Sequence, residues 1–135
     1  MTVFADTSGL FALLVRNDYM HVRAKTIFQS FAENNTPLLT SSYVLVETTA
    51  LLQRRVGMDA VMEFQYKILP LLDIIWADEQ WHEKAINRLI LLNQRKVSLV
   101  DCLSFVIMDA KEINTAFSFN NHFEKNGFSL AAYTP

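Results

Sequence analysis

Thr2-Val3-Phe4-Ala5-Asp6-Thr7-Ser8 (residues 2–8) is a short apolar run that ends at an acid and two hydroxyls. Residues 2–5 predict a short buried strand, and the apolar run from Ser8 to Val15 predicts a helix. A buried strand that passes at once into a helix is typical of α/β proteins with a parallel sheet. Asp6 would then stand at the carboxyl end of the strand, which is where open parallel sheets bind their ligands.

Strand-like and helical segments alternate along the rest of the chain, which predicts an α/β fold with a central parallel sheet. The predicted strands are 2–5, 37–40, 72–77, 116–119 and 128–133, and the predicted helices span 8–15, 19–32, 42–56, 59–69, 79–92, 98–110 and 122–126. Asp18 is expected to cap the second helix, and Pro70 to end the fourth. The expected apolar stripe of the second helix is Val22, Ile27, Phe28 and Phe31.

Composition favours one packed domain. The chain has 135 residues, of which 51% are hydrophobic and 19% are charged. This length predicts a single domain spanning residues 1–135. The net charge of −2 gives no electrostatic reason to expect a nucleic-acid surface. Contact with nucleic acid would therefore rest on a few local basic residues or on a metal ion.

The sequence also bears on the compartment. Cys102 is the single cysteine, so no internal disulfide is possible. No apolar run approaches the ~20 residues that a membrane span needs. The start of the chain has no basic residues ahead of its apolar run, unlike a signal peptide. These features predict a cytoplasmic protein with no membrane partner.

Three acids stand where an apolar pattern makes an acid hard to explain: Asp6, Glu47 and Asp101. Asn120 follows the predicted strand 116–119 in the same way, with an amide in place of an acid. Buried carboxylates are costly unless they are paired or bound to a cation. Several that converge would most simply bind a hard cation such as Mg²⁺ or Mn²⁺.

Each of these residues also has a local structural interpretation. Asp6 can cap the helix that follows it, and Ser98 and Asp101 have the spacing of a capping box. Asn120 can be a turn residue. Glu47 is harder to explain locally, because it shares a helix face with apolar neighbours. Spacing by itself leaves both the local and the metal-binding interpretations open.

Four segments together resemble the PIN-domain ribonucleases, and more narrowly the VapC-type toxins of toxin–antitoxin pairs. The segments are Ala5-Asp6-Thr7-Ser8-Gly9-Leu10-Phe11-Ala12-Leu13-Leu14, Thr40-Ser41-Ser42-Tyr43-Val44-Leu45-Val46-Glu47, Ser98-Leu99-Val100-Asp101-Cys102-Leu103-Ser104-Phe105 and Ala116-Phe117-Ser118-Phe119-Asn120-Asn121-His122-Phe123. The resemblance spans nearly the whole chain. It implies a three-layer α/β/α sandwich with a central parallel sheet, and Mg²⁺- or Mn²⁺-dependent endoribonuclease activity. It further implies a homodimer and inhibition by a cognate antitoxin protein.

The resemblance also implies roles for particular residues. Asp6, Glu47 and Asp101 would bind the metal directly or through waters, with Asn120 as the fourth catalytic position. Thr7 and Asn121 would lie just outside these residues and support them.

The chain departs from the family pattern at Asn120, where the family usually has Asp. An amide keeps one carbonyl oxygen but lacks the charge of a carboxylate. This departure leaves an alternative open, in which the protein is a catalytically weakened PIN-like module that binds RNA or protein. A haloacid-dehalogenase-like phosphatase is a weaker rival, because that chemistry needs a second Asp where this chain has Ser8.

Overall fold

The structure is a computed structural model, and it describes residues 1–132. Within these residues, five strands and seven α-helices follow one another. The strands are β1 (Val3–Ala5), β2 (Leu38–Ser41), β3 (Asp73–Ile75), β4 (Thr115–Phe117) and β5 (Ser129–Leu130). The helices are α1 (Thr7–Leu14), α2 (His21–Glu33), α3 (Ser42–Arg55), α4 (Met58–Glu63), α5 (Glu79–Leu92), α6 (Leu99–Ala110) and α7 (His122–Lys125).

All four strand pairings are parallel, and the strand order is β3-β2-β1-β4-β5. The chain adds β2 and β3 on one side of β1 and then crosses to add β4 and β5 on the other. Because such crossovers are right-handed, the reversal places helices on both faces of the sheet. The result is the predicted three-layer α/β/α sandwich. Its topological switch point lies between β1 and β4, the place where open α/β sheets bind ligands.

The central strands are fully buried, which explains their continuous apolar sequence. Every residue of β1 has no exposed surface, and Ala116 and Phe117 of β4 are equally buried. Phe28, Phe31 and Phe117 pack ring against ring beside the sheet. A second aromatic cluster joins α6 to α7 through Phe105 and Phe123, whose rings lie edge to face. Phe117 and Phe123, near the end of the chain, therefore belong to the core.

The prediction for the start of α2 is wrong. Asp18 does not cap the helix. Its carboxylate accepts the backbone N–H of Met20 at 2.9 Å and forms a turn, and the helix begins at His21 with no side-chain cap. Val22 is 76% exposed. The buried stripe is instead Ala24, Ile27, Phe28 and Phe31, in which Phe28 is partly buried. This set has the i, i+3, i+4, i+7 spacing of one helix face, to which Val22 does not belong.

The predicted helix 59–69 is not one regular α-helix. α4 ends at Glu63 and continues as a π-helical turn, Phe64–Ile68, followed by a 3-10 turn, Leu69–Leu71. The N–H of Leu69 donates to the carbonyl oxygen of Phe64, five residues earlier. Pro70 has no N–H to donate and its ring crowds the preceding turn, so the helix widens before it.

The remaining boundaries agree with the sequence to within a few residues, except at the end of the chain. The last strand, predicted over 128–133, is Ser129–Leu130, and Tyr133 lies outside the described residues. None of the helices within residues 1–132 has the length and apolar character that crossing a membrane requires.

Candidate active site

The carboxyl ends of β1 and β4 meet at the switch point. The backbone N–H of Asp6 donates to the carbonyl oxygen of Phe117 at 3.1 Å, which extends the strand pairing by one residue. Asp6 therefore lies directly beside Ser118, although 112 positions separate them. Gly9 makes this approach possible, because a Cβ atom at that position would lie only 2.5 Å from the carbonyl oxygen of Phe117.

A hydroxyl network holds the carboxylate of Asp6. Ser8 Oγ and Ser118 Oγ donate to Asp6 Oδ2 at 3.0 and 2.9 Å. The two hydroxyl oxygens lie 3.0 Å apart and accept the backbone N–H groups of Phe119 and Asn120. The N–H of Ser8 also points to Oδ2, at 3.4 Å, so Asp6 does cap α1 as its local interpretation requires. No hydrogen bond reaches Oδ1 from residues 1–132.

The surroundings of Asp6 disfavour its charged form. Burial and, after it, the negative charge of Asp101 raise the pKa of Asp6 from 3.8 to about 6. The hydrogen bonds from Ser118 and Ser8 oppose this rise, and the charge of Glu47 adds to it. The three acids singled out in the sequence therefore lie close enough for their charges to interact at one edge of the sheet. A cation placed there would reverse the effect.

Asp101 lies in the first turn of α6 and is 6% exposed. Ser98 and Asp101 form the expected capping box: Ser98 Oγ accepts the N–H of Asp101 at 3.0 Å, and Asp101 Oδ2 accepts the N–H of Ser98 at 3.3 Å. The same Oδ2 lies 3.2 Å from Nδ1 of His122. As at Asp6, the hydrogen bonds that residues 1–132 make to this carboxylate all reach Oδ2.

Glu47 lies in the second turn of α3 and is half-buried. The neighbouring Thr48 Oγ1 donates to Thr7 Oγ1 at 3.0 Å in a buried contact between α3 and α1. This contact fixes α3 beside the residue that follows Asp6. Thr7 thus ties two helices together, and its hydroxyl makes no hydrogen bond to a carboxylate among the described residues.

Asn120 and Asn121 take different places after β4. Asn120 Oδ1 accepts the backbone N–H of His122 at 3.0 Å, so its amide oxygen supports a turn. Asn121 is exposed, stands at the start of α7, and makes no side-chain hydrogen bond within residues 1–132.

The donor set at this edge fits a hard divalent cation, although the side chains do not form a closed cage. Within residues 1–132, no three His, Cys, Asp or Glu side chains group closely enough to hold a metal by themselves. Mg²⁺ commonly binds proteins through one or two carboxylates and completes its shell with waters and substrate phosphate. The buried Asp6 carboxylate, with its raised pKa and an oxygen that accepts no hydrogen bond, is suited to that mode.

Sequence reasoning missed two hydroxyls of this network, Ser8 and Ser118. Ser118 offered a signal, since it is a polar residue between Phe117 and Phe119 at the end of a buried strand. A side chain there is 2% exposed and must find a partner. Ser8 gave no signal of its own, because a Ser in a first helical turn is commonplace.

The fold and this acidic edge agree with a family assignment from sequence. Residues 3–129 match the PIN domain, and the chain belongs to that family. It is similar to the 23S rRNA-specific endonuclease VapC20 of Mycobacterium tuberculosis, in strains CDC 1551 and H37Rv. The two proteins are 32% identical over 127 residues, which covers 93% of this chain and 95% of VapC20.

Solved structures agree with the same assignment. The crystal structure of M. tuberculosis VapC20, a sarcin–ricin loop cleaving toxin, superposes with a TM-score of 0.84 at 31% identity, covering 94% of this chain and 96% of that one. PAE2754 from Pyrobaculum aerophilum superposes with a TM-score of 0.64 at 12% identity, covering 96% of this chain and 89% of the other. The second likeness concerns the fold alone.

Proposed function

We propose that this protein is a Mg²⁺- or Mn²⁺-dependent endoribonuclease that hydrolyses RNA phosphodiester bonds and acts as the toxin of a toxin–antitoxin pair. The observation that carries the proposal is the buried Asp6 at the β1–β4 switch point, whose pKa is raised by burial and by the neighbouring acids. Membership of the PIN family and similarity to a VapC endonuclease support the same reaction.

Asp6, Glu47 and Asp101 would hold the metal, directly or through water. When bound, the cation would polarise the scissile phosphate and lower the pKa of an attacking water. Ser8 and Ser118 donate hydrogen bonds to Oδ2 of Asp6, so Oδ1 would be the oxygen available to hold a metal. The oxygen of the attacking water would form a bond to phosphorus and give up a proton. The bond between phosphorus and the 3′ oxygen would break, and the 3′ oxygen would take up a proton. The fragments would therefore carry 5′-phosphate and 3′-hydroxyl ends.

RNA binding would depend on a few basic side chains, since the net charge is −2. Arg95 and Lys96 are exposed and immediately precede α6, which begins with the segment that carries Asp101. In this proposal they would contact the phosphate backbone of the RNA. Arg54 and Arg55 are less suitable, because they end α3 about 10 Å beyond Glu47 along the helix axis. The guanidinium of Arg55 also lies over the ring of Phe11.

The similarity to VapC20 suggests a first substrate. That relative is a 23S rRNA-specific endonuclease and a sarcin–ricin loop cleaving toxin. We propose that this chain cleaves a structured rRNA loop of the same kind. A cognate antitoxin protein would inhibit it, and it would act as a cytoplasmic homodimer. Light scattering of the purified protein tests the dimer.

The first experiment is to incubate the purified protein with a sarcin–ricin loop RNA and with a mixed RNA pool, in Mn²⁺ and in EDTA. The Asp6→Asn variant serves as control, because it keeps the shape of the side chain and removes its charge. We expect Mn²⁺-dependent cutting that EDTA and the substitution abolish, with 5′-phosphate ends on the fragments.

Two results would contradict the proposal in different ways. Cutting that persists in EDTA would exclude the metal mechanism. If the protein neither cuts RNA nor binds Mn²⁺ by calorimetry, it is the weakened RNA- or protein-binding module, and Asn120 becomes the first residue to test.

A further inference from the structure

His122 is the first residue of α7, and its imidazole lies against the candidate site. We propose that His122 is a positioning residue, which holds Asp101 so that one carboxylate oxygen is presented to the metal. This inference rests on the proposed function, and it assigns Asn120 the separate task of setting the backbone turn that delivers His122.

The turn after β4 determines where the imidazole lies. Asn120 Oδ1 accepts the N–H of His122 at 3.0 Å, and the N–H of Asn120 itself donates to Ser118 Oγ at 3.0 Å. The backbone between Ser118 and His122 is thereby fixed at both ends to the network that holds Asp6. Because its oxygen is engaged by the backbone, the amide of Asn120 is poorly placed to replace a metal-binding carboxylate.

The contact between His122 and Asp101 joins two elements distant in sequence. Nδ1 of His122 lies 3.2 Å from Oδ2 of Asp101, and the two side chains are 20% and 9% exposed. A carboxylate oxygen accepts hydrogen bonds, so this contact is a hydrogen bond to Asp101 in the form of the imidazole that carries a proton on Nδ1. A partly buried donor of this kind fixes both the rotamer of Asp101 and the choice of oxygen.

Asp6 and Asp101 are held in the same way. Ser8 and Ser118 donate to Oδ2 of Asp6, while the N–H of Ser98 and the imidazole of His122 surround Oδ2 of Asp101. In residues 1–132 no hydrogen bond reaches Oδ1 of either carboxylate. Each acid thus has one oxygen engaged by the protein and one left for another partner. Outer-shell contacts to metal ligands commonly change metal affinity by about 10–100-fold when removed.

The test measures Mn²⁺ binding by calorimetry in the absence of RNA. His122→Leu removes the donor, and His122→Asn restores an N–H near the position of Nδ1. His21→Leu is the matched control, because Nδ1 of His21 donates to the carbonyl oxygen of Ala12, away from the acidic edge, at 2.8 Å. We expect His122→Leu to weaken Mn²⁺ binding about 10–100-fold. His122→Asn should recover most of the loss, and His21→Leu should bind as the wild type does.

A double-mutant comparison separates positioning from general damage. If His122 acts through Asp101, His122→Leu should weaken Mn²⁺ binding no further once Asp101→Asn is present. Wild-type affinity in His122→Leu, or an equal loss with and without Asp101→Asn, would overturn the inference and leave the proposed nuclease intact. Wild-type protein that binds no Mn²⁺ would overturn both.

A second measurement uses the unaltered protein and does not depend on how the variants fold. Titration with Mg²⁺, followed by NMR, should shift the ring signals of His122 with the dissociation constant that calorimetry gives for Mg²⁺ itself. Ring signals that do not respond to saturating Mg²⁺ would contradict the inference. Electron spin-echo spectra of the Mn²⁺ complex should show no directly bound nitrogen, since a nitrogen ligand would make His122 a metal ligand instead.

Discussion

Asp6 combines two roles that are usually alternatives. It caps α1 through its contact with the N–H of Ser8, and it is also a buried acid, 3% exposed, beside other acids. The cap does not require burial among like charges. Burial and these charges raise the pKa of Asp6, a cost that a cation bound at this edge would offset.

The raised pKa of Asp6 predicts that removing its charge stabilises the protein. The pKa of Asp6 is about 6 in the folded protein against 3.8 ordinarily. Between these values the folded state binds a proton that the unfolded chain does not, so stability falls as the pH rises from about 4 to about 6. Asp6→Asn should therefore raise the unfolding free energy at pH 7 in EDTA, by up to about 3 kcal/mol, with the gain vanishing below pH 4.

Thermal unfolding in EDTA across this pH range measures the effect. Asp18→Asn is the matched control, because the carboxylate of Asp18 also accepts a backbone N–H but is only half-buried. An Asp6→Asn variant that is less stable than the wild type at pH 7 would mean that the cap and the hydroxyl network outweigh the charge.

The family resemblance predicts an Asp at position 120, where this chain has Asn. Asn120→Asp should retain the turn, because a carboxylate oxygen can also accept the N–H of His122. The added negative charge at the acidic edge should tighten Mn²⁺ binding, measured by calorimetry, and raise the rate of RNA cleavage. If neither quantity changes, position 120 lies outside the reach of the metal.

At the scale of elements, the approach of α1 to β4 sets the geometry of the edge. A methyl group at Gly9 would lie 2.5 Å from the carbonyl oxygen of Phe117, the oxygen that accepts the N–H of Asp6. A backbone carbonyl within a strand cannot swing aside as the end of a flexible side chain can. The helix must therefore move away, or the pairing of β1 with β4 must open.

Gly9→Ala tests this approach. Alanine gains about 1 kcal/mol over glycine within a helix, whereas overpacking typically costs about 1–3 kcal/mol. We expect the steric clash to outweigh the helix preference of alanine. The midpoint of urea unfolding should fall, and Mn²⁺ binding should weaken. A more stable variant would show that helix preference prevails and that α1 tolerates a small shift.

At the scale of the whole molecule, the acidic edge exists only because β1, α3 and α6 converge on it. Each contributes one acid, and the charges of Asp101 and Glu47 are felt at Asp6. A metal ion bound to Asp6 would have to displace the proton that burial and the neighbouring charges favour. Metal affinity should therefore depend on pH near the raised pKa rather than near 3.8.

The expected outcome is a Mn²⁺ affinity that is steady above pH 7 and falls by up to about tenfold per pH unit below pH 6. Calorimetry at constant ionic strength measures it, and RNA cleavage should fall over the same range. A flat profile from pH 5 to pH 8 in both quantities would count against Asp6 as a metal ligand.

The sequence by itself determined the fold class and the succession of strands and helices along the chain, and it singled out three acids whose charges interact in the structure. Buried strands and amphipathic helices have recognisable patterns of apolar residues in the sequence. An acid inside such an apolar run can be identified without coordinates. Predictions from the local sequence pattern were wrong where tertiary contacts determined the structure. Asp18 caps a turn rather than a helix, and Val22 faces solvent. Pro70 is preceded by a π turn that periodicity did not reveal.

Only the tertiary structure decided which groups surround the acids. Ser118 and Asp6 are 112 positions apart, and His122 reaches Asp101 across 21. These contacts arise because β2 and β3 lie on one side of β1 whereas β4 lies on the other, which brings the carboxyl ends of β1 and β4 side by side. A sequence pattern records the neighbours of a residue along one element. Hydrogen bonds between side chains at a sheet edge depend on the packing of several elements, and no period along the chain records that packing.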